Sequence, residues 1–273
     1  MFGLLKKRRR DRIRSQPFPS EWRDILVRRY SMYSRLPPAD RRELEGHILV
    51  FLDEKRFEGC DGQEITDEVR VLIAAQACLL LLHRDTDYYP RLRSILVYPS
   101  SYIAKTWRLE SDGRTITEGE QARGGESWPH GAVVLAWDGA IAGALELSRN
   151  RNVVLHEFAH QLDEEDGRAD GAPLLEGATF SQMRHRYQTW ARVLSAEFQQ
   201  LRRAAEDGRE TVLDAYGAQN PAEFFAVATE SFFEKPGQLK ERHPELYAEL
   251  KEFYHQDPLL YAPAGPENNE YPA

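Results

Sequence analysis

Residues 156–160 read His-Glu-Phe-Ala-His, and no other stretch restricts the fold of the chain as much. On an α-helix, positions four apart lie on one face, so both imidazoles can close on a single ion while Glu157 leans toward a water on that ion. The surroundings suit a helix over about 150–163. Val154, Leu155, Phe158, Ala159 and Leu162 recur at helical spacing, no Pro or Gly interrupts, and Gly167 follows as a stop signal. A helix this apolar is buried, and two histidines and a glutamate buried with it are unfavourable without a partner such as a metal. The chemistry that this arrangement serves is peptide hydrolysis.

A catalytic zinc takes a third protein donor and keeps its fourth position for water. Downstream, Asn220 and Pro221 read as the cap and first residue of a helix ending before Pro236. Glu223 sits in its first turn, and Glu230 lies two turns further along the same face. Glu223 has a competing role, a capping box in which its carboxylate reaches back to the Asn220 amide. Its neighbours Phe224 and Phe225 draw it into the interior, where an unpaired carboxylate is unfavourable, and this favours Glu223 as the donor. Spacing alone leaves Glu230 open.

The sequence HEFAHQLDEEDG at 156–167, followed by YGAQNPAEFFAVATESFF at 216–233, resembles the zinc peptidase core shared by the Mlc titration factor family and the protease domain of anthrax lethal factor. The shared pattern is HExxH with an Asp three residues on, then a Tyr seven residues before a Glu in a Glu-Phe-Phe-Ala-like helix. Similarity to the Mlc titration factor family extends over about residues 35–260, through Lys55–Gly62, Val97–Pro99, Gly125–Trp128, Gly131–Trp137 and Phe253–Pro258. The resemblance implies a gluzincin-like metallopeptidase with one Zn2+ per chain. Its ligands would be His156, His160 and Glu223, its base Glu157, and Tyr216 would stabilise the transition state.

The family is named for sequestering a transcriptional repressor of glucose-uptake genes. The resemblance therefore implies a peptide substrate, an Mlc-type repressor as partner, and regulation of the glucose phosphotransferase system. Aminopeptidase and internal cleavage are both open. An alternative of a different class is a repressor-sequestering binding protein with a vestigial or secondary peptidase site. In such peptidases a sheet edge beside the metal receives substrate as an added strand. The stretch from Trp128 to Trp137 stands in order for that role, or is an ordinary core strand. His130 is either a residue that approaches the metal or a loop histidine. Asp163 either braces a ligand or loop around the site or is exposed at the helix end.

With 273 residues and 41% hydrophobic content, the chain can bury a substantial core. A net charge of −8 gives no global electrostatic reason to bind nucleic acid directly. Cys60 and Cys78 are too few for a disulfide framework and fit a reducing compartment, with Cys78 in the core. The N-terminus runs basic from Lys6 to Arg10 without a following apolar segment, so export is not expected and a cytoplasmic location is; the run either touches an anionic membrane or phosphate-bearing partner or, more commonly, is a solvated tail. The longest apolar run, Val71 to Leu82, is too short to span a bilayer.

Helices are expected near 20–35 (Ser20 as cap), 38–56 (Pro38 in the first turn), 66–83 (Thr66 or Asp67 as cap), 150–163, 181–206, 221–234 and 243–255. Residues 94–98 and 132–136 read as strands, and 115–118 as a weaker one. Helices, then strands, then helices argue for an α+β fold. Combined with the resemblance, this divides the chain into four parts. Residues 1–19 form a basic, mobile tail, 20–90 a helical N-terminal lobe packed on the core, 91–260 a zincin-like peptidase core, and 261–273 a mobile C-terminal tail.

Overall fold

The computed structural model describes residues 2–109, 116–123, 125–128, 131–145, 151–177 and 179–261. The chain opens with helices α1 (Phe2–Arg14), α2 (Ser20–Arg29), α3 (Ser31–Arg35) and α4 (Pro38–Glu54). Strand β1 (Arg56–Gly59) and helix α5 (Asp67–Leu79) follow. Next come β2 (Ser94–Tyr98), β3 (Tyr102–Leu109), β4 (Ile116–Arg123), β5 (Gly125–Trp128) and β6 (Ala132–Ala136). The remainder is helical: α6 (Trp137–Leu145), α7 (Val153–Asp163), α8 (Phe180–Glu206), α9 (Pro221–Glu234), α10 (Pro236–Arg242) and α11 (Pro244–Tyr254). The class is α+β, mostly helical around a small sheet.

That sheet has the order β1-β2-β6-β5. The strands β1, β2 and β6 run parallel, while β5 pairs antiparallel with β6 and forms the edge. Of the two readings of the stretch from Trp128 to Trp137, the ordinary core strand holds for Ala132–Ala136, because β6 has a partner on each side. Its Ala-Val-Val-Leu-Ala sequence is buried along nearly its whole length, as a strand covered on both faces should be. The more polar Gly-Glu-Ser-Trp of β5 takes the edge. A separate hairpin pairs β3 with β4, extending the weak candidate at 115–118 to Arg123.

Several expected boundaries shift. The helix over 20–35 breaks at Tyr30, whose backbone turns extended (φ −121°, ψ 96°) as its ring is buried. Ser20 is not the cap, because Pro19 occupies that position and the Ser20 hydroxyl turns to Glu21. Thr66 does cap α5, accepting from the Val69 amide at 3.3 Å. The helix over 38–56 ends at Glu54, and the next residues pair with β2, so the segment 20–90 contributes a strand to the sheet. Helix α6 was not anticipated, because Gly139 and Gly143 argue against a helix interior. Gly143 is needed there, since a Cβ on it would lie 2.7 Å from the Asn152 side-chain amide.

The basic N-terminal run is a helix rather than a solvated tail. Arg10 is 8% exposed, donates to both carboxylate oxygens of Glu54 at 2.7 and 2.8 Å, and also reaches Asp87. Ile13 is buried in the same interface. Opposite charge on α4, joined to one apolar contact, orders what composition alone leaves free. Tyr261, at the start of the expected C-terminal tail, is 4% exposed. Residues 262–273, Thr115, His130 and Asn150 lie outside the described residues.

One continuous apolar core runs from Ile13 to Tyr261 and joins both halves of the chain. Phe158 on α7 sits at its centre, fully buried, with ring centroids 4.9 Å from Tyr89 and 5.7 Å from Phe51. That anchor fixes how α7 rolls about its axis, and hence which face its histidines present. Among the described residues no helix is long and apolar enough to cross a membrane.

Candidate metal centre

Helix α7 begins where the Asn152 side chain accepts from the Leu155 amide at 3.0 Å. After Asp163 it tightens into a 3-10 turn, Glu164–Asp166, and ends at Gly167 with φ +92°. Gly167 is the stop that the sequence suggests. Helix α9 begins in the same way, with Asn220 accepting from the Glu223 amide at 3.0 Å and Pro221 at its first position. The capping reading of Asn220 therefore holds. The Glu223 carboxylate, however, points into the site rather than back along the chain.

The two helices bring His156, His160 and Glu223 together. His156 Nε2 lies 3.0 Å from Glu223 Oε2, His160 Nε2 lies 3.4 Å from the same oxygen, and the two ring nitrogens are 3.3 Å apart. Around a tetrahedral zinc with bonds of 2.0–2.1 Å, neighbouring donors are separated by about 3.3 Å. The three residues thus fit such an ion in donor type, number and spacing. All three are only partly exposed.

Glu230, the rival donor in the sequence, stands on the other side of His156. Its Oε1 accepts from His156 Nδ1 at 2.7 Å, while its Oε2 accepts from the Asn152 amide at 2.6 Å. The first bond places a ring proton on Nδ1 and turns Nε2 toward Glu223. At 3.0 Å, Nε2 and Glu223 Oε2 are held together by a positive charge, either a second ring proton or a metal ion. Burial works against charge on His156, but Glu223 and Glu230 outweigh it and hold the ring's pKa well above the ordinary imidazole value. Burial likewise raises Glu223, yet its bonds to His156 and His160 prevail and draw it down to about 2. The pocket is built for a positive charge, whether a proton or a metal ion.

Glu157 is buried, at 5% exposed, against the edge strand. A Cβ on Gly125 would lie 2.7 Å from Glu157 Oε1 and 2.5 Å from Val153 Cγ2, so β5 can run this close only because that residue has no side chain. Tyr216, in a 3-10 turn at Ala215–Ala218, stands beside the site with its ring centroid 5.9 Å from that of His156. Asp163 is fully buried and accepts from the Gly171 amide at 2.8 Å, which selects the loop-bracing alternative over the exposed one. Gly171 has φ +76°, and Trp190 Nε1 donates to its carbonyl at 2.9 Å. This ties the end of α7 to α8 and, through Gly171's close packing on Pro221, to the start of α9.

Sequence reasoning missed the roles of Gly125, Gly171 and Glu234, and saw Glu230 only as a rival. A signal for Glu230 existed: a ligand histidine needs an acceptor for its second nitrogen, and Glu230 lies on the same face of α9 as Glu223. Glu234, one turn further on, is pushed up to about 8 by burial and by the charge of Glu230. A carboxyl that keeps its proton when folded but loses it near 4.5 when unfolded makes stability fall as pH rises from about 4.5 to about 8. Glu234→Gln is therefore expected to stabilise the protein by about 1–3 kcal/mol at pH 8 and much less at pH 4.5. Denaturant titration at both pH values checks this, and an equal gain at both would contradict it.

The family model described as Glucose-regulated metallo-peptidase M90 matches residues 5–255. The chain belongs to this metallo-peptidase family. An uncharacterized protein of Synechocystis sp., slr2042, is 44% identical over 247 residues, spanning 90% of this chain and 87% of the relative. Mlc titration factor A of Klebsiella pneumoniae is 32% identical over 239 residues, with 87% and 86% covered. The protein of the same name from Serratia proteamaculans is 30% identical over 244 residues, with 88% of each covered. The resemblance in the sequence motifs is thus part of a similarity that runs nearly end to end.

Proposed function

We propose that the chain is a zinc-dependent peptidase in which His156, His160 and Glu223 hold one Zn2+. The observation behind this reading is the triangle of two imidazole nitrogens and one carboxylate oxygen at 3.0–3.4 Å, with Glu157 next to His156 on the same helix. A zinc bound there would supply Lewis-acid polarisation of a water and of the scissile carbonyl. Glu157 would accept a proton from the attacking water and pass it to the leaving amine. Tyr216 donates a hydrogen bond to the developing oxyanion. Glu230 keeps His156 in the tautomer that points Nε2 inward. Three parallel strands with an antiparallel edge beside the HExxH helix support a zincin-like core.

The edge strand β5 suggests how substrate lies. It is bonded to β6 on one side only among the described residues, and its Gly125 touches the base. An extended peptide adding to the free side would pass Glu157 with its backbone paired and its side chains left to pockets. Gly125→Ala is accordingly expected to lower kcat by about 10–100-fold with zinc content unchanged, because displacements near 1 Å at a reacting group have effects of that size. Kinetics with metal analysis on the purified variant checks this, and an unaltered kcat would contradict it.

Metal removal tests the reading directly. Stripping the purified protein with a chelator should abolish cleavage of a peptide library, and one equivalent of zinc should restore it. Cleavage that persists in metal-free protein would refute the proposal.

Because relatives at 30–32% identity are named for titrating Mlc, we also propose an Mlc-type repressor as partner, met in the cytoplasm. Pull-down of that repressor by zinc-free protein and by Glu157→Gln separates the two roles. Retained capture makes binding independent of the chemistry, and loss of capture with loss of zinc makes one surface serve both.

A further inference from the structure

Charge is distributed unevenly along this chain. Residues 1–42 hold 13 Lys and Arg against 4 Asp and Glu, whereas the other 231 residues hold 23 against 40. An acidic protein therefore carries one strongly basic end, and α1 is its most basic element. The inner face of α1 is committed: Arg10 and Ile13 are buried, Lys6 pairs with Asp87, and Arg9 pairs with Asp53. The outer face is not. Leu4, Arg8 and Arg12 follow one another at four-residue spacing on the side away from Ile13, with Lys7 and Leu5 flanking them and Asp11 as the one carboxylate among them, so the face carries three cations against one anion. Lys7, Arg8 and Arg12 are exposed and make no ion pair among the described residues, and Leu4 and Leu5 are 67% and 59% exposed.

We propose that the outer face of α1 docks the protein on an anionic lipid bilayer, with Leu4 and Leu5 entering the interface and Lys7, Arg8 and Arg12 meeting the headgroups. Charge complementarity selects an anionic surface, and the field of the molecule turns its basic end toward it. The two leucines select a bilayer over a nucleic acid, because a phosphate backbone offers nothing to an apolar side chain, whereas the headgroup boundary takes it out of water. The ion pairs of Arg10 hold α1 on the body of the protein, so docking presents the whole folded chain to the surface. The metal centre takes no part in this contact.

The test is cosedimentation of the full chain with vesicles of phosphatidylcholine alone and with about one third phosphatidylglycerol, at 0.1 M salt. The wild type should bind only the anionic vesicles. Lys7→Ala/Arg8→Ala/Arg12→Ala should bind about 100-fold more weakly, at roughly fivefold per cation near such a surface. Leu4→Ser/Leu5→Ser should weaken binding at least about tenfold. Zinc content and peptide cleavage in solution should be unchanged in both variants, which also excludes misfolding. Absence of anionic-vesicle binding, or binding equal in wild type and variants, would overturn the proposal. So would tight binding to duplex DNA that needs the cations but not the leucines, which would make this face a nucleic-acid contact.

Discussion

Glu157→Gln is expected to reduce peptide cleavage by about 100- to 10,000-fold while the protein keeps close to one zinc per chain. The range is that of a positioned general base. The amide matches the carboxylate in shape, so the contacts of α7 with Gly125 and β5 survive. What is lost is the capacity to accept a proton. Because Glu157 lies outside the donor triangle, metal content should not follow activity. Metal analysis and kinetics on one preparation decide the matter, and a fully active Glu157→Gln protein would refute the assignment of the base.

Glu223→Ala is expected to have the opposite signature, with the loss falling on the metal itself. It removes one of three donors and the only anionic one in the triangle. The remaining imidazoles, 3.3 Å apart, would face each other with no carboxylate to balance a cation. Zinc affinity should fall by more than the roughly 10–100-fold characteristic of losing a residue that supports a ligand. Glu230→Gln is the natural comparison, because Glu230 contacts His156 through Nδ1 and not the triangle. Competition with a chromophoric chelator ranks the two variants. If Glu230→Gln lost more zinc than Glu223→Ala, the assignments of ligand and support would have to be exchanged.

The elements that were legible in the sequence are those whose determinants are local. Helix α7 could be read from an apolar stripe, an unbroken run and Gly167, and α9 from Asn220-Pro221 at its start and Pro236 beyond its end. Strands β2 and β6 were readable as short apolar runs. Elements defined by a distant partner were not readable. Strand β1 exists because β2 accepts it as a neighbour, and α6 carries a glycine that disfavours a helix because Gly143 must clear Asn152. Helix α1 reads as a solvated, mobile basic tail until Glu54 and Asp87 are placed beside Arg10.

The candidate site divides along the same line. Spacing of four residues on one helix was enough to put His156 and His160 on a common face with Glu157 beside them, because helical geometry needs no further information. Spacing did not separate Glu223 from Glu230, since both lie on one face of α9; the flanking Phe224 and Phe225 favoured Glu223, and the approach of α7 to α9 puts the two carboxylates on different sides of His156. The tertiary structure puts Glu223 at the inner nitrogen of His156 and Glu230 at the outer one. It also decides that β5 is the edge strand and that Gly125 lies against Glu157. Sequence determines what each helix can present, and packing around Phe158 and the caps at Asn152 and Asn220 determines what each presentation meets.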